Sequence, residues 1–172
     1  GTHTVTATQT LDIAGVTVIG AHDYYGNLNG MPPVALSIRD TSDELLDIRA
    51  SNVEVGYLRL VGEGGTSLVS FQTANALDNI RLHDLFIDMR YNDDPTRDSR
   101  GIDFANRRGG TGTTRMGTSI SSTATAYLEN ITFWSNGANG EALLLATCTV
   151  AMKNLRFHND AGTWATPMAV AT

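Results

Sequence analysis

The sequence has little of several features that usually hold a small protein together. It contains one cysteine in 172 residues, so no disulfide forms within the chain and burial alone must hold the fold. Cys148 stands among apolar residues and is expected to pack in the core rather than to react. Charged residues make up 17% of the chain and hydrophobic residues 41%, a composition that argues against a disordered polypeptide.

Long apolar runs and an excess of positive charge are also missing. No window approaches the roughly eighteen apolar residues of a membrane-spanning helix, so no membrane contact is expected. The formal net charge is −6, without the surplus of lysine and arginine that binds nucleic-acid phosphates. The length suits a single domain over residues 1–172. Because the chain starts without methionine and stops inside an apolar run, we expect this domain to be a fragment of a longer protein.

A short apolar pattern recurs along the chain. It reads apolar, x, apolar, x, x, apolar, x, apolar, and it fits residues 11–18, 53–60, 80–87, 126–133 and 150–157. Alternation of period two predicts a strand with one buried face, and the two adjacent polar positions break that alternation once. We interpret the break as a corner between two strands. The second corner position holds Gly15, Asp84, Asn130 and Asn154, which are residue types that tolerate a left-handed backbone. In the remaining repeat this position holds Tyr57, which is the exception.

The spacing of the pattern indicates the architecture. Its shortest interval, from Ala126 to Val150, is 24 residues, which suits one turn of a three-sided coil. A third strand is expected after each pattern, at residues 34–38, 67–71, 101–104, 142–145 and 166–170. The prediction is an all-β, right-handed, single-stranded parallel β-helix of about five coils, with a long loop inserted near residues 89–117. A sandwich of hairpins is the alternative, because Asn-Gly pairs occur at residues 29–30, 136–137 and 139–140.

Two segments resemble a known family. Gly1-Thr-His-Thr-Val5, followed by Gly15-Val-Thr-Val-Ile-Gly20, is similar to the opening coil of pectate-lyase-like β-helix proteins, and residues 45–62 and 100–104 resemble later coils. The likeness covers nearly the whole chain, but it concerns the architecture and not an activity. That architecture is shared by polysaccharide lyases, glycoside hydrolases, epimerases, bacterial adhesins and bacteriophage tailspikes. The likeness to trimeric phage spikes implies a homotrimer, or neighbouring virion subunits, at an extracellular or virion surface.

In that family the substrate groove follows the third-strand face, where Asp103 is the one acidic residue expected on the strands. A second carboxylate would come from a loop or from another chain. The long loop supplies the other catalytic candidates, Asp98 and Arg100, and the glycan-binding candidates Arg107 and Arg108, since guanidinium groups suit the carboxylate of a uronic or sialic acid. The alternative is a solvated loop whose charges pair with each other.

The remaining candidates concern sugar stacking and cofactors. Trp134 and Trp164 are expected in loops, where they could stack on sugar rings. The four histidines have no metal-ligand spacing, so no metal site and no cofactor are predicted. The resemblance to family lyases, which use an arginine base with aspartate-held calcium, implies calcium only if this chain is a lyase.

Two functions follow, and the sequence leaves the question of enzymatic activity open. The first is a virion- or cell-surface β-helix module with a structural or receptor-facing, polysaccharide-binding role, which the lack of a second acidic residue on the predicted third strands and the acidic net charge favour. The second is a polysaccharide lyase or glycoside hydrolase of the pectate-lyase-like class, with Asp103 and the charged loop at its centre. The sequence does not identify the glycan.

Overall fold

The fold is all-β. A computed structural model describes residues 1–21, 31–38, 44–62, 67–71, 76–90, 100–105, 123–136, 141–146, 148–160 and 167–170. Within these ranges the regular elements are fifteen strands, and every strand pairing is parallel. The alternative of a hairpin sandwich, which requires antiparallel neighbours, is therefore wrong for this part of the chain.

The strands form two sheets. The nine-stranded sheet contains β1 (Thr2–Val5), β3 (Thr17–Ile19), β4 (Ala35–Ile38), β6 (Glu54–Gly56), β7 (Arg59–Gly62), β9 (Ile80–His83), β10 (Phe86–Asp88), β12 (Thr125–Ser135) and β14 (Thr149–Asn159). The six-stranded sheet contains β2 (Gln9–Leu11), β5 (Leu46–Ile48), β8 (Ser67–Ser70), β11 (Arg100–Asp103), β13 (Glu141–Leu145) and β15 (Met168–Val170).

The larger sheet consists of two parallel ladders joined by its long strands. Ladder A contains β1, β4, β7, β10 and the C-terminal halves of β12 and β14. Ladder C contains β3, β6, β9 and the N-terminal halves of β12 and β14. The six-stranded sheet is ladder B. Successive strands visit the ladders in the order A, B, C, so each ladder gains one strand per round of the chain.

The junction from ladder C to ladder A is a left-handed corner. Tyr57, Asp84, Asn130 and Asn154 have φ of 53°, 50°, 54° and 54°, as four of the five repeats predict. These corners lie in register, since the amide of Tyr57 donates to the carbonyl of His83 and that of Asp84 to the carbonyl of Glu129. Asparagine and aspartate adopt this conformation more readily than other side-chain-bearing residues.

The first repeat is out of register with the others. Gly15, at φ 80°, lies beside Asn52 at φ 59°, because its amide donates to the carbonyl of Ser51. It therefore belongs to the junction from ladder B to ladder C, and Gly20 is the residue that aligns with Tyr57. Both junctions interrupt the alternation in the same way, so the apolar pattern cannot distinguish them.

The predicted third strands fall in ladder B with one exception. Residues 67–71, 101–104, 142–145 and 166–170 overlap β8, β11, β13 and β15, although residue 166 itself lies outside the described ranges. The prediction for residues 34–38 is wrong, because β4 pairs with β1 and β7 in ladder A. Ladder B instead takes β5, which pairs with β2 and β8. The long loop near residues 89–117 contains β11, and residues 91–99 and 106–122 are not described.

Apolar rows from the ladders form one core. In ladder A, Leu60, Ile87 and Phe133 are in register and have no exposed surface, and Phe71 stacks on Phe104 with centroids 4.5 Å apart. Burying each such side chain stabilises the fold by about 1.5–3 kcal/mol. Gly101 has no room for a side chain, since a Cβ there would lie 2.7 Å from the Phe133 ring. Cys148 packs against this core, and burial raises the pKa of its thiol.

Candidate functional site

A row of polar side chains crosses ladder B. The strand registers place Thr10, Asp47, Ser70 and Asp103 opposite one another on successive strands. Asp47 and Asp103 lie two strands apart, which separates their Cα atoms by roughly 10 Å. The expectation that Asp103 is the one acidic residue on the strands of this ladder is therefore wrong. It failed because residues 34–38, rather than Leu46–Ile48, were assigned to this ladder.

Both aspartates of this row are buried and hydrogen-bonded. Asp103 is 1% exposed, its Oδ1 accepts from the amide of Ala105 at 2.8 Å, and its Oδ2 accepts from the Ser67 hydroxyl at 3.5 Å. Asp47 has no exposed surface and pairs with Arg49. Burial of a charged carboxylate requires such partners. The row therefore holds two carboxylates in fixed positions.

Arg100, another predicted catalytic residue, is 2% exposed at the start of β11. Its Nε donates to Oε2 of Glu141 on the neighbouring strand β13 at 2.9 Å. This charge-assisted pairing fixes the position of the guanidinium. The other loop candidates, Asp98, Arg107, Arg108 and Trp164, lie outside the described residues. Within the described ranges no group of three histidine, cysteine, aspartate or glutamate side chains is placed to hold a metal ion.

A second polar cluster lies on ladder A around Asp88, which has no exposed surface. Arg90 binds both carboxylate oxygens, from Nε at 2.9 Å and from a terminal guanidinium nitrogen at 2.8 Å. Arg59 donates from Nε at 3.1 Å. Burial raises the pKa of Asp88, but the hydrogen bonds and charges of Arg90 and Arg59 outweigh that effect and lower it.

Trp134 belongs to this cluster, and its expected loop position is wrong because it lies within β12. The Arg90 guanidinium is 4.6 Å above the ring, and the edge-on His158 imidazole is 4.4 Å away between centroids. Among the described residues, the buried indole N–H has no hydrogen-bond partner of normal geometry. Its approach nevertheless lowers the pKa of Asp160, and His158 and Arg90 lower that pKa further. A sugar stacking on Trp134 would have to displace Arg90 or His158.

A third cluster, on ladder C, centres on His83, which is 5% exposed. Its Nδ1 lies 2.8 Å from Oδ2 of Asp84, and its Nε2 lies 3.0 Å from Oε1 of Glu54. The ring covers Gly56, where a Cβ would lie 2.5 Å from the imidazole. Tyr57 meets the ring edge-on at 5.3 Å between centroids. The glycine thus provides the space in which one imidazole joins two carboxylates.

Ion pairs extend this cluster across ladder C. Arg81 on β9 contacts Glu54 on β6 at 2.9 Å and Glu129 on β12 at 3.9 Å. Lys153 on β14 donates to Glu129 at 2.7 Å, and this hydrogen bond lowers the pKa of Glu129. Tyr127, 49% exposed, lies in the same surface. None of these residues was among the candidates from sequence, although the period-two pattern of β12 places Tyr127 on the solvent face.

Comparison with known proteins adds no identification. No model of a protein family, no curated protein and no solved structure matches the chain. The described residues include no helix long and apolar enough to cross a membrane. The resemblance to pectate-lyase-like proteins therefore stays a prediction, and the three polar clusters are the features of the described residues that bear on function.

Proposed function

We propose that the chain is part of a right-handed parallel β-helix that serves as a structural or glycan-facing module on a virion or cell surface. The order of ladders A, B and C, with a shift of 24 residues between β12 and β14, is what such a coil requires. Right-handedness follows from the strong preference of parallel crossover connections for that hand. The resemblance of the opening segments to pectate-lyase-like coils supports the same architecture.

The observation that carries the structural role is the use of polar side chains as cross-links between strands. Asn154 donates to Asn130 at 3.0 Å, and Asn130 donates to Asp84 at 3.1 Å, along one corner. Asn79 donates to Asn52 at 3.1 Å along another corner. The ion pairs of Asp88 and of Arg81 also join neighbouring strands. These contacts stiffen a rod, which is the property that a surface-exposed spike or fibre needs.

The proposal includes association with other copies, as a homotrimer, or with neighbouring virion subunits. Ile19 on β3 and Phe157 on β14, which lie at opposite ends of the ladders, are 40% and 37% exposed. Because these apolar side chains are exposed at the ladder ends, contact with further strands or with another subunit would remove them from water.

Two measurements test the proposal, one of assembly and one of glycan binding. Light scattering after size exclusion is expected to give three times the mass of one chain. Retention on a panel of surface polysaccharides tests the glycan-facing role separately from assembly. A monomer that no polysaccharide retains contradicts the proposal.

An enzyme of the lyase or hydrolase class is the second candidate, and the spacing of Asp47 and Asp103 favours it, although both carboxylates are buried and a substrate would reach them only after a rearrangement. Inverting glycosidases separate their two carboxyl groups by about 6.5–9.5 Å, which is close to the two-strand interval of this row. Calcium would take part only in a lyase. Reducing-sugar release and unsaturated-uronate absorbance are measured with and without Ca²⁺. If activity is found, Asp47→Asn and Asp103→Asn should each lower it by about 10²–10⁴-fold, while Asp12→Asn should not.

A further inference from the structure

One exposed apolar side chain does not lie at the end of a ladder. The large hydrophobic residues exposed in the described part of the chain are Ile13, Ile19, Tyr127, Met152, Phe157 and Met168. Five of them lie on or beside the outermost strands β2, β3, β14 and β15, where a ladder stops. Tyr127 lies on β12, which is paired on both sides. Its exposure therefore needs another reason.

The surroundings of Tyr127 leave its ring open. Its register partners are Arg81 on β9 and Ala151 on β14, and both partners are exposed. The methyl group of Ala151 covers little of the phenol ring. Tyr127 makes no hydrogen bond or ring contact with other described residues. The ring thus stands on a flat strand surface as an uncovered apolar plane with a polar tip, the kind of group that favours a partner with one apolar face.

The charges beside Tyr127 are negative on balance. Three carboxylates, those of Glu54, Asp84 and Glu129, stand against two cationic groups, those of Arg81 and Lys153, and His83 joins Asp84 to Glu54. This surface consequently has no spare cation for an acidic ligand. Its carboxylate and guanidinium groups are planar hydrogen-bonding groups, and their mutual contacts hold them in place beside the ring.

We infer that Tyr127, with the ion-pair network formed by Glu54, Arg81, Glu129 and Lys153, is a binding surface for a neutral pyranose unit of a polysaccharide. The inference rests on the proposed glycan-facing role and names its face and its ligand class. The C–H face of the sugar stacks on the phenol ring, and its hydroxyls exchange hydrogen bonds with the carboxylate and guanidinium groups. A uronate at the same place would bring its carboxylate toward Glu54 and Glu129, which disfavours it.

Affinity electrophoresis tests this surface with defined probes. The chain is run in gels containing dextran, mannan, galactan or polygalacturonate, and saturation-transfer NMR is recorded with the matching oligosaccharides. At least one neutral polysaccharide should retard the chain, and Tyr127→Ala should weaken that binding roughly tenfold. Tyr127→Phe should retain it, because the stacking plane is kept. Met152→Ala, which shortens an exposed side chain on β14, is the matched control and should bind as the parent does.

The outcomes separate this inference from the broader proposal. Retardation by polygalacturonate alone, or equal binding by the parent and Tyr127→Ala, overturns the inference and leaves a glycan-facing role elsewhere on the coil. A trimer that none of the neutral probes retards also overturns it, and leaves the structural role. Unchanged circular dichroism and thermal midpoint of Tyr127→Ala establish that lost binding does not come from lost folding.

Discussion

At the scale of single residues, Asp88 shows how the chain accommodates charge in a buried position. Its carboxylate has no exposed surface, yet the guanidinium groups of Arg59 and Arg90 bind it. Removing the carboxylate leaves Arg59 and Arg90, whose side chains are each 25% exposed, close together without the partner that compensates their charges. The cluster therefore makes position 88 sensitive to substitution.

Asp88→Asn should lower the free energy of unfolding by about 3–5 kcal/mol at pH 7, as measured by urea denaturation. The pKa of Asp88 is lowered in the folded chain, so its stabilisation is complete above the ordinary aspartate value of about 3.9 and is lost as the pH falls. The difference between parent and variant should accordingly shrink below about pH 4. Asp12→Asn, at an exposed position, is the control. A difference that stays constant from pH 7 to pH 3 would contradict the assignment.

At the scale of elements, the corners between ladders C and A decide whether consecutive strands stay in register. Asn130 has φ of 54° and hydrogen-bonds through its side chain to Asp84 and Asn154. It contributes in two ways, through tolerance of a left-handed backbone and through the side-chain ladder. The two contributions can be separated by substitution.

Asn130→Ala should destabilise the chain by about 2–3 kcal/mol, because alanine carries the left-handed strain and makes no side-chain hydrogen bond. Asn130→Gly removes the hydrogen bonds without the strain, so it should cost less, about 1 kcal/mol. Thermal and urea unfolding of both variants provide the comparison. Equal losses would mean that backbone strain does not contribute at this corner.

The contact between β6 and β9 gives a second prediction at this scale. A Cβ at Gly56 would lie 2.5–2.6 Å from the His83 imidazole, so Gly56→Ala should cost about 1–3 kcal/mol through displacement of that ring. Combining it with His83→Ala should remove the clash. The double variant is expected to be more stable than the sum of the two single losses predicts. Strict additivity in urea unfolding would show that the ring does not occupy this space.

At the scale of the whole molecule, stability should follow the position of a strand in its ladder. Strands β9 and β12 have neighbours on both sides, whereas β1, β2 and β3 have one neighbour each among the strands that the structure describes. Hydrogen exchange followed by mass spectrometry should show slower exchange for residues 80–83 and 125–135 than for residues 2–5 and 17–19. Uniform protection across these segments would indicate that the two sheets open as a single unit.

The agreement between sequence and structure also depends on scale. Four corners, at Tyr57, Asp84, Asn130 and Asn154, are predicted at the correct residue, even where tyrosine stands at a position that suits glycine or asparagine better. The first corner is misplaced, because Gly15 interrupts the alternation as a different junction does. Asp103 is placed correctly in ladder B, but its row partner Asp47 is missed through the wrong assignment of residues 34–38.

The chain by itself determines an all-β fold with strands that bend at fixed positions, because period-two alternation and residues that tolerate positive φ are local properties. Tertiary structure decides which ladder each strand joins. The same alternation suits all three ladders, and the partners of a strand lie more than twenty residues away across connections whose length the pattern does not restrict. For that reason the pairing of His83 with Glu54, 29 residues apart, and the row that aligns Asp47 with Asp103 emerge only when the strands are stacked.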